Sequence, residues 1–471
     1  MKNKLWIVVA ALVAVVLLPV MLRSRHSAPI HTDDVLIVVS PHNEAIRAEF
    51  ARAFAADHLR RTGRTVRIDW RTPGGSSEIT RYLAALYLGD RPGCGIDVLF
   101  GGGAYDFIQH ANAGRLAPSR ALKDLPFPET LGGEQYRDAE GRWSGAALSA
   151  FGIVSNEDAL RRVGFPGRPT RWSDLADPRL RRKIAVADPT QSGSAAKAYE
   201  LLIQQQIAEA GGDVAEGWRR AMRLLRRIGA NSRYFSDAAT RIVWDVESGD
   251  AAAGMAIDFY GRFQSEAVRR ADGTSRLLYI TPQGGSSFGA DPIGLLRGAP
   301  SPELAEEFIA FVMSPEGQKL WNWKVGTPGG PTQYALRRLP ILPELYAPEY
   351  LEFRSDPDVN PYEWAASNPP YHPEWTGRLF RAIGFIIRAM AIDPHDELTE
   401  AWEALVAAGF PPKATALFDN VDAVDYDTVK NVIQPVLSGT SKIEVSQLSR
   451  KLCDSFRAQY RQVTELARRG E

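Results

Sequence analysis

The chain opens on an unbroken apolar run. Residues 5–22, LWIVVAALVAVVLLPVML, carry no charge, with Lys2 and Lys4 before them and Arg23 and Arg25 after. A terminal run of that length, apolar on every side, suits lipid better than a protein core. It predicts an export signal or a membrane anchor over residues 1–30. No A-x-A cleavage site follows and no cysteine ends the run. Cleavage and retention therefore both stay open, and a lipid-modified cysteine at that place is excluded.

Beyond the run, short apolar stretches alternate with helical spacing. VLIVV (35–39) reads as a buried strand, and the helix after Ser40-Pro41-His42-Asn43 ends at Gly63. VRIDW (66–70) is a second strand, followed by Thr72-Pro73-Gly74-Gly75-Ser76-Ser77 and the helix ITRYLAALYLG. IDVLF (96–100) is a third, followed by Gly101-Gly102-Gly103 and another helix. Strand–helix alternation of this kind predicts a mostly parallel α/β sheet, which binds ligands beyond the carboxyl ends of its strands.

The pattern then repeats. WSGAALSAFGIVSN (143–156) reads as extended, and KIAVADP (183–189) as a strand leading through Thr190-Gln191-Ser192-Gly193-Ser194 into a long helix. AAAGMAIDFYGRF reads as a buried strand with a polar end, LLYITPQGGSSFGADPIGLLRG as one long extended stretch, and SPELAEEFIAFVMSPEGQKLWNWKVG as a helix pair. Residues 331–371 look irregular. Residues 374–471 read as mainly helical, with a helix start at Asp393-Pro394.

Composition narrows the class. Length suggests two or three domains of about 150 residues each. The 56 Lys+Arg match the 56 Asp+Glu, so no basic footprint for nucleic acid exists. Of the two cysteines, Cys94 and Cys453, neither sits in a CxxC, so a zinc or redox motif is not indicated. One long-range disulfide or two buried thiols both fit.

The candidate chemistry lies in small polar turns before helices. Gly75, Ser76 and Ser77, and Ser192, Gly193 and Ser194, could hold an anionic group on free N–H and hydroxyl donors. Plain N-capping is the other reading of each. Ser40, His42 and Asn43 after the first strand, Gly102 after the third, and Asp237, Asp258 and Tyr260 further on complete the candidate ligand-binding set. His42 could donate to an anion or ligate a metal, and Asp258 could instead cap the helix that follows. Neither HExxH nor GxxxxGK[ST] occurs, and Glu306 and Glu307 read as a solvated helix face. No catalytic constellation or cofactor is expected.

Four stretches together resemble the type 2 periplasmic solute-binding proteins of ABC importers: VLIVVSPHNEAIRAEFARAF, ADPTQSGSAAKAYELL, AAAGMAIDFYGRF and DPIGLLRGAPSPELAEEFIAFVMSPEGQKLW. The resemblance runs from about residue 35 to 335, nearest the ferric, phosphonate, hexose-phosphate and spermidine/thiamine branch. It implies two α/β lobes joined by hinge strands near 144–153 and 284–296. Lobe 1 is expected over 33–143 and 288–335, lobe 2 over 144–287, and a helical extension over 336–471. It also implies a monomeric periplasmic protein, with or without a membrane tether, that closes over a small solute and docks on an ABC permease.

The ferric branch binds iron through a histidine after the first strand, a glutamate after the third and two adjacent tyrosines in the second lobe. His42 fits the first position. Phe100-Gly101-Gly102-Gly103 brings no glutamate, and Phe259-Tyr260 replaces the tyrosine pair. A phosphorylated or carboxylated organic anion is the expected ligand. A different oxygen-rich metal site at His42, Asp258 and Tyr260, and a membrane-anchored ligand sensor, are the alternatives.

Overall fold

The computed structural model describes residues 32–89 and 91–471. The apolar run 5–22 lies outside them. Among the described residues no helix is long and apolar enough to cross a membrane.

Two sheets carry the architecture. In the first, Asp34–Val39 pairs in parallel with Val66–Arg71 and Val98–Phe100. Gly289–Leu296 runs antiparallel to Val98–Phe100, Ser144–Ser149 follows, and Leu339–Pro340 forms the edge. The helices Glu44–Thr62, Ser76–Leu86 and Ala104–Asn112 supply the crossovers that parallel strands require. Neighbouring residues of one strand point to opposite faces. Val38 accordingly joins one buried cluster with Phe50, Phe54 and Trp321, while Val39 joins another with Leu83 and Phe107. Both faces are covered, which explains why the strand is an apolar run rather than an alternation.

The second sheet runs Ser232–Ser236, Ile184–Ala187, Ala253–Ile257, Phe151–Asn156, Leu277–Ile280. The chain enters it through Ala150 and returns through Ser286–Phe288. The two crossings are stitched together: the Ser286 hydroxyl donates to the Phe151 carbonyl at 2.7 Å and accepts the Phe151 N–H at 3.2 Å.

Several elements differ from the sequence expectation. Ser144–Ser149, expected to begin lobe 2, pairs within the first sheet, because its bonds go to Gly289–Leu296. DFYGRF begins the helix Asp258–Ala267 instead of extending a strand. The stretch 277–296 divides into two strands, one in each sheet. Leu336, Leu339, Ile341 and Leu345 pack into the core of the first sheet, so the early part of the expected extension completes lobe 1. From residue 379 the helices share one core with lobe 2. The joint is polar as well as apolar: Trp218 Nε1 donates to the Val424 carbonyl at 2.9 Å, and Trp402 Nε1 to Asn231 Oδ1 at 2.8 Å. Cys94 and Cys453 are both free thiols.

Trp218→Ala is expected to cost about 3–5 kcal/mol, because it opens a cavity and orphans a buried carbonyl. Since the core is shared, calorimetry should show lobe 2 and the helical extension still melting in one transition, at lower temperature.

Candidate ligand-binding cleft

The first strand delivers its side chains at its carboxyl end. Asn43 caps the helix Glu44–Thr62, accepting the Ile46 N–H at 3.1 Å. Ser40 Oγ accepts the His42 N–H at 3.1 Å, which fixes the turn. The His42 ring lies edge-on to Phe100, 4.6 Å between centroids. A Cβ on Gly101 (φ +98°) would stand 2.5 Å from His42 Nε2, so the ring's seat requires glycine at that position.

His42 Nε2 lies 2.9 Å from Asp291 Oδ2 on the returning hinge strand. A carboxylate accepts, so Nε2 carries the proton. Burial, reinforced by Arg338 and Arg47, holds the imidazole well below its ordinary pKa and therefore neutral. Asp291 Oδ1 accepts the Gly102 N–H at 2.9 Å, and Arg338 forms an ion pair with Oδ2. Arg338 follows Arg337, whose φ of +54° is unusual for a side-chain-bearing residue. Arg337 is held there by Asp356, with its Nη2 2.6 Å from Oδ1. The strained residue turns Arg338 into the cleft.

The second sheet answers from the other side. Asp258 is fully buried at the start of the helix Asp258–Ala267. Its N–H donates to the hinge carbonyl of Ala150 at 2.9 Å, and its Oδ1 accepts the Phe259 N–H at 2.8 Å. Burial pushes its carboxyl up to about 6, against the pull of Arg262 and Arg338. The Phe259 ring lies 4.1 Å from the Arg338 guanidinium carbon. Tyr260 faces Asn43 and Arg338 across the cleft. Burial also lowers Arg338 to about 10, leaving it charged at neutral pH. Five buried polar atoms around this cluster have no protein partner: His42 Nδ1, Asp258 Oδ2, Arg262 Nη1, Tyr279 Oη and Arg338 Nε. Donors and acceptors left open in this way are what a bound solute or ordered water would satisfy.

The two glycine- and serine-rich turns meet across the same cleft. A Cβ on Gly193 would lie 2.6 Å from Ser76 Oγ. They are not equivalent. Ser192 Oγ accepts the Ala195 N–H at 3.3 Å, so the capping reading holds for that turn. Gly75 caps Ser76–Leu86 with no side-chain bond. Asp106 occupies the space beside Ser76 and Thr80, its carboxyl pushed up to about 6 by burial. Ser77 and Ser194 lie half-buried on their respective turns, whereas Asp237 is exposed. Gly102 serves Asp291, and Asn43 serves as a helix cap that also reaches Tyr260. Sequence reasoning missed Arg338, Asp291, Arg262 and Asp106. The Asp291-Pro292 pair within the hinge strand Gly289–Leu296 was the available signal.

Two sheets joined by stitched crossings, with a buried polar cluster between them, define a two-lobed protein. Residues 95–339, just over half of the chain, match the bacterial extracellular solute-binding protein family, and the chain belongs to that family. Its members bind solutes for transport and are not enzymes. An uncharacterised protein of Haemophilus influenzae is 27% identical over 235 residues, covering 49% of this chain and 61% of that one. The phosphoglycerate transport regulatory protein PgtC of Salmonella typhimurium is 24% identical over 174 residues, covering 37% of this chain and 39% of that one. The chain thus spans less than two thirds of the length of these curated relatives. The iron-bound structure of HitA from Pseudomonas aeruginosa shares the fold, with a TM-score of 0.50 at 18% identity over 75% of this chain and 99% of that one.

Asp258→Asn is expected to raise unfolding free energy at pH 7 by on the order of 1–3 kcal/mol. The sign follows from the raised carboxyl. Folded Asp258 holds a proton that the unfolded chain releases between about pH 4 and 6, so its favourable contribution is lost as pH rises through that window. Denaturant titrations should show the gain shrinking toward pH 4.

Proposed function

We propose that the chain is the solute-capturing subunit of an ABC importer, closing its lobes over a small anionic solute, phosphorylated or carboxylated, for delivery to a membrane permease. One observation carries this reading: the buried guanidinium groups of Arg338 and Arg262 each keep an unpaired N–H in the cleft. Guanidinium is the group of choice for carboxylate and phosphate in a desolvated site. Asp291 and Asp258 balance those charges, so the solute competes with internal carboxylates rather than meeting bare cations. The uncapped helix start at Gly75 adds further donors.

The ferric alternative meets an obstacle at the same place. A cation, Arg338, already pairs with Asp291 and packs on Phe259, which stands where the iron branch has its first tyrosine. Among the described residues no three His, Cys, Asp or Glu side chains gather as a metal site. The sensor alternative is favoured by a different observation. The regulatory relative PgtC matches part of this chain, and the helical extension gives lobe 2 a large additional surface.

Calorimetry with phosphoglycerates, hexose phosphates, dicarboxylates and inorganic phosphate is the test. At least one of these anions is expected to bind, and Arg338→Met should weaken it by about ten- to a hundredfold, the worth of a charge-assisted bond. Binding confined to neutral sugars, polyamines or metal ions would sink the anion reading. Unchanged affinity in the Arg338 variant would remove its central residue.

A further inference from the structure

The polypeptide passes between the lobes a third time, over residues 365–376, and there it builds a second buried polar cluster away from His42 and Arg338. On the lobe 1 side stands the hairpin of Thr130–Leu131 and Glu134–Gln135. Its turn is shaped for the crossing segment. The Tyr371 N–H donates to the Gly132 carbonyl at 2.8 Å, and the Tyr371 carbonyl fills the space where a Gly133 side chain would stand.

On the lobe 2 side stands the helix Gly193–Glu209. Lys197 Nζ lies 2.9 Å from Glu134 Oε1 of lobe 1 and 3.0 Å from Glu200 Oε2 of its own helix. The ammonium also sits 3.6 Å from the centre of the Tyr371 ring. Glu200 Oε1 accepts from Tyr371 Oη at 2.8 Å and from Thr376 Oγ1 at 2.7 Å. The hinge residue Ser287 donates to Glu134. Burial alone would lower the Lys197 pKa. The two carboxylates outweigh it and raise it, so the lysine is charged. A further contact spans the lobes where Phe380 of the extension packs on Tyr105, 4.7 Å between ring centroids.

We infer that the third crossing is a latch: Lys197, clamped between Glu134 and Glu200 and covered by Tyr371, biases the two lobes toward the closed arrangement. Opening draws Glu134 away from Lys197 and breaks one of the two anchors of Tyr371, at Gly132 or at Glu200. Rehydration of the charges offsets part of the lost ion pair, and the hydrogen bonds and ring cover made only when the lobes meet supply the bias. Tyr371 makes the latch depend on the extension, because its backbone is held by lobe 1 and its hydroxyl by lobe 2. This assigns the crossing segment a role in controlling access to the cleft. It rests on the capture reading only for what the cleft contains. The lobe motion can be measured without any ligand.

The test is a distance measurement on the full chain. Cys94→Ser and Cys453→Ser remove the free thiols, and Leu88→Cys and Trp244→Cys, both at exposed positions, carry spin labels on the two lobes. The parent should give one narrow distance. Glu134→Gln removes the cross-lobe charge while keeping its shape, and should increase the population at a second, shifted distance by about tenfold. Tyr371→Phe should move the distribution the same way by less. A distribution unchanged in Glu134→Gln overturns the latch, whatever the solute proves to be. Lys197→Met leaves two buried carboxylates without a counter-ion, so Glu134→Gln and Tyr371→Phe decide if that variant fails to fold.

Discussion

One carboxylate organises the cleft. Asp291, 4% exposed, accepts from the Gly102 N–H and His42 Nε2 and pairs with Arg338. A buried carboxylate is tolerable only when its lone pairs are filled, and here each filling partner arrives on a different segment. The turn after the first strand brings His42, the turn after the third brings Gly102, and the segment after the second crossing brings Arg338. The returning hinge strand carries Asp291 itself. Other features follow. His42 is neutral because it is buried beside a guanidinium. Gly101 is glycine because the imidazole lies against it. Arg337 holds a left-handed backbone so that its neighbour can reach the carboxylate.

Under the proposed capture reading, the arrangement couples recognition to lobe motion. Arg338 is rooted in lobe 1, yet its flat face rests on Phe259 of lobe 2. Separating the lobes strips that face while leaving the Asp291 pair intact within lobe 1. On that reading the guanidinium is pre-oriented by its own lobe and desolvated as the lobes close, when its electrostatic interactions are strongest. Asp258 is anchored from the other side, its N–H tied to the hinge carbonyl of Ala150. The helical extension crosses beside the hinge and merges with the core of lobe 2.

The sheet architecture was legible because it is written in local pattern. Leu36 to Val39 is continuous because helices cover both faces of a parallel sheet, while Val35 at the start of the strand stays exposed. Gly63 ends its helix in the left-handed conformation, as its position after the helical spacing implies. The boundaries were less legible. Ser144–Ser149 and Phe151–Asn156 are almost one unbroken buried run, and only hydrogen-bond partners reveal that they belong to different sheets. In the cleft, His42, Asp258 and Tyr260 could be read from strand ends followed by helices. Arg338 could not, since it lies in an irregular stretch with no periodicity to mark it.

The sequence by itself determined the two α/β halves, their turns and the helical tail, because hydrophobic spacing and glycine placement act over a few residues. It also determined, through the family motifs, the kind of protein. Only the tertiary structure decided which charges meet. Asp291 and Arg338 are far apart in the chain, and so are Glu134, Lys197 and Tyr371. Their pairing depends on which strands neighbour each other and on how the chain recrosses the hinge. Those are long-range choices set by the burial of whole faces, and no local window of sequence records them.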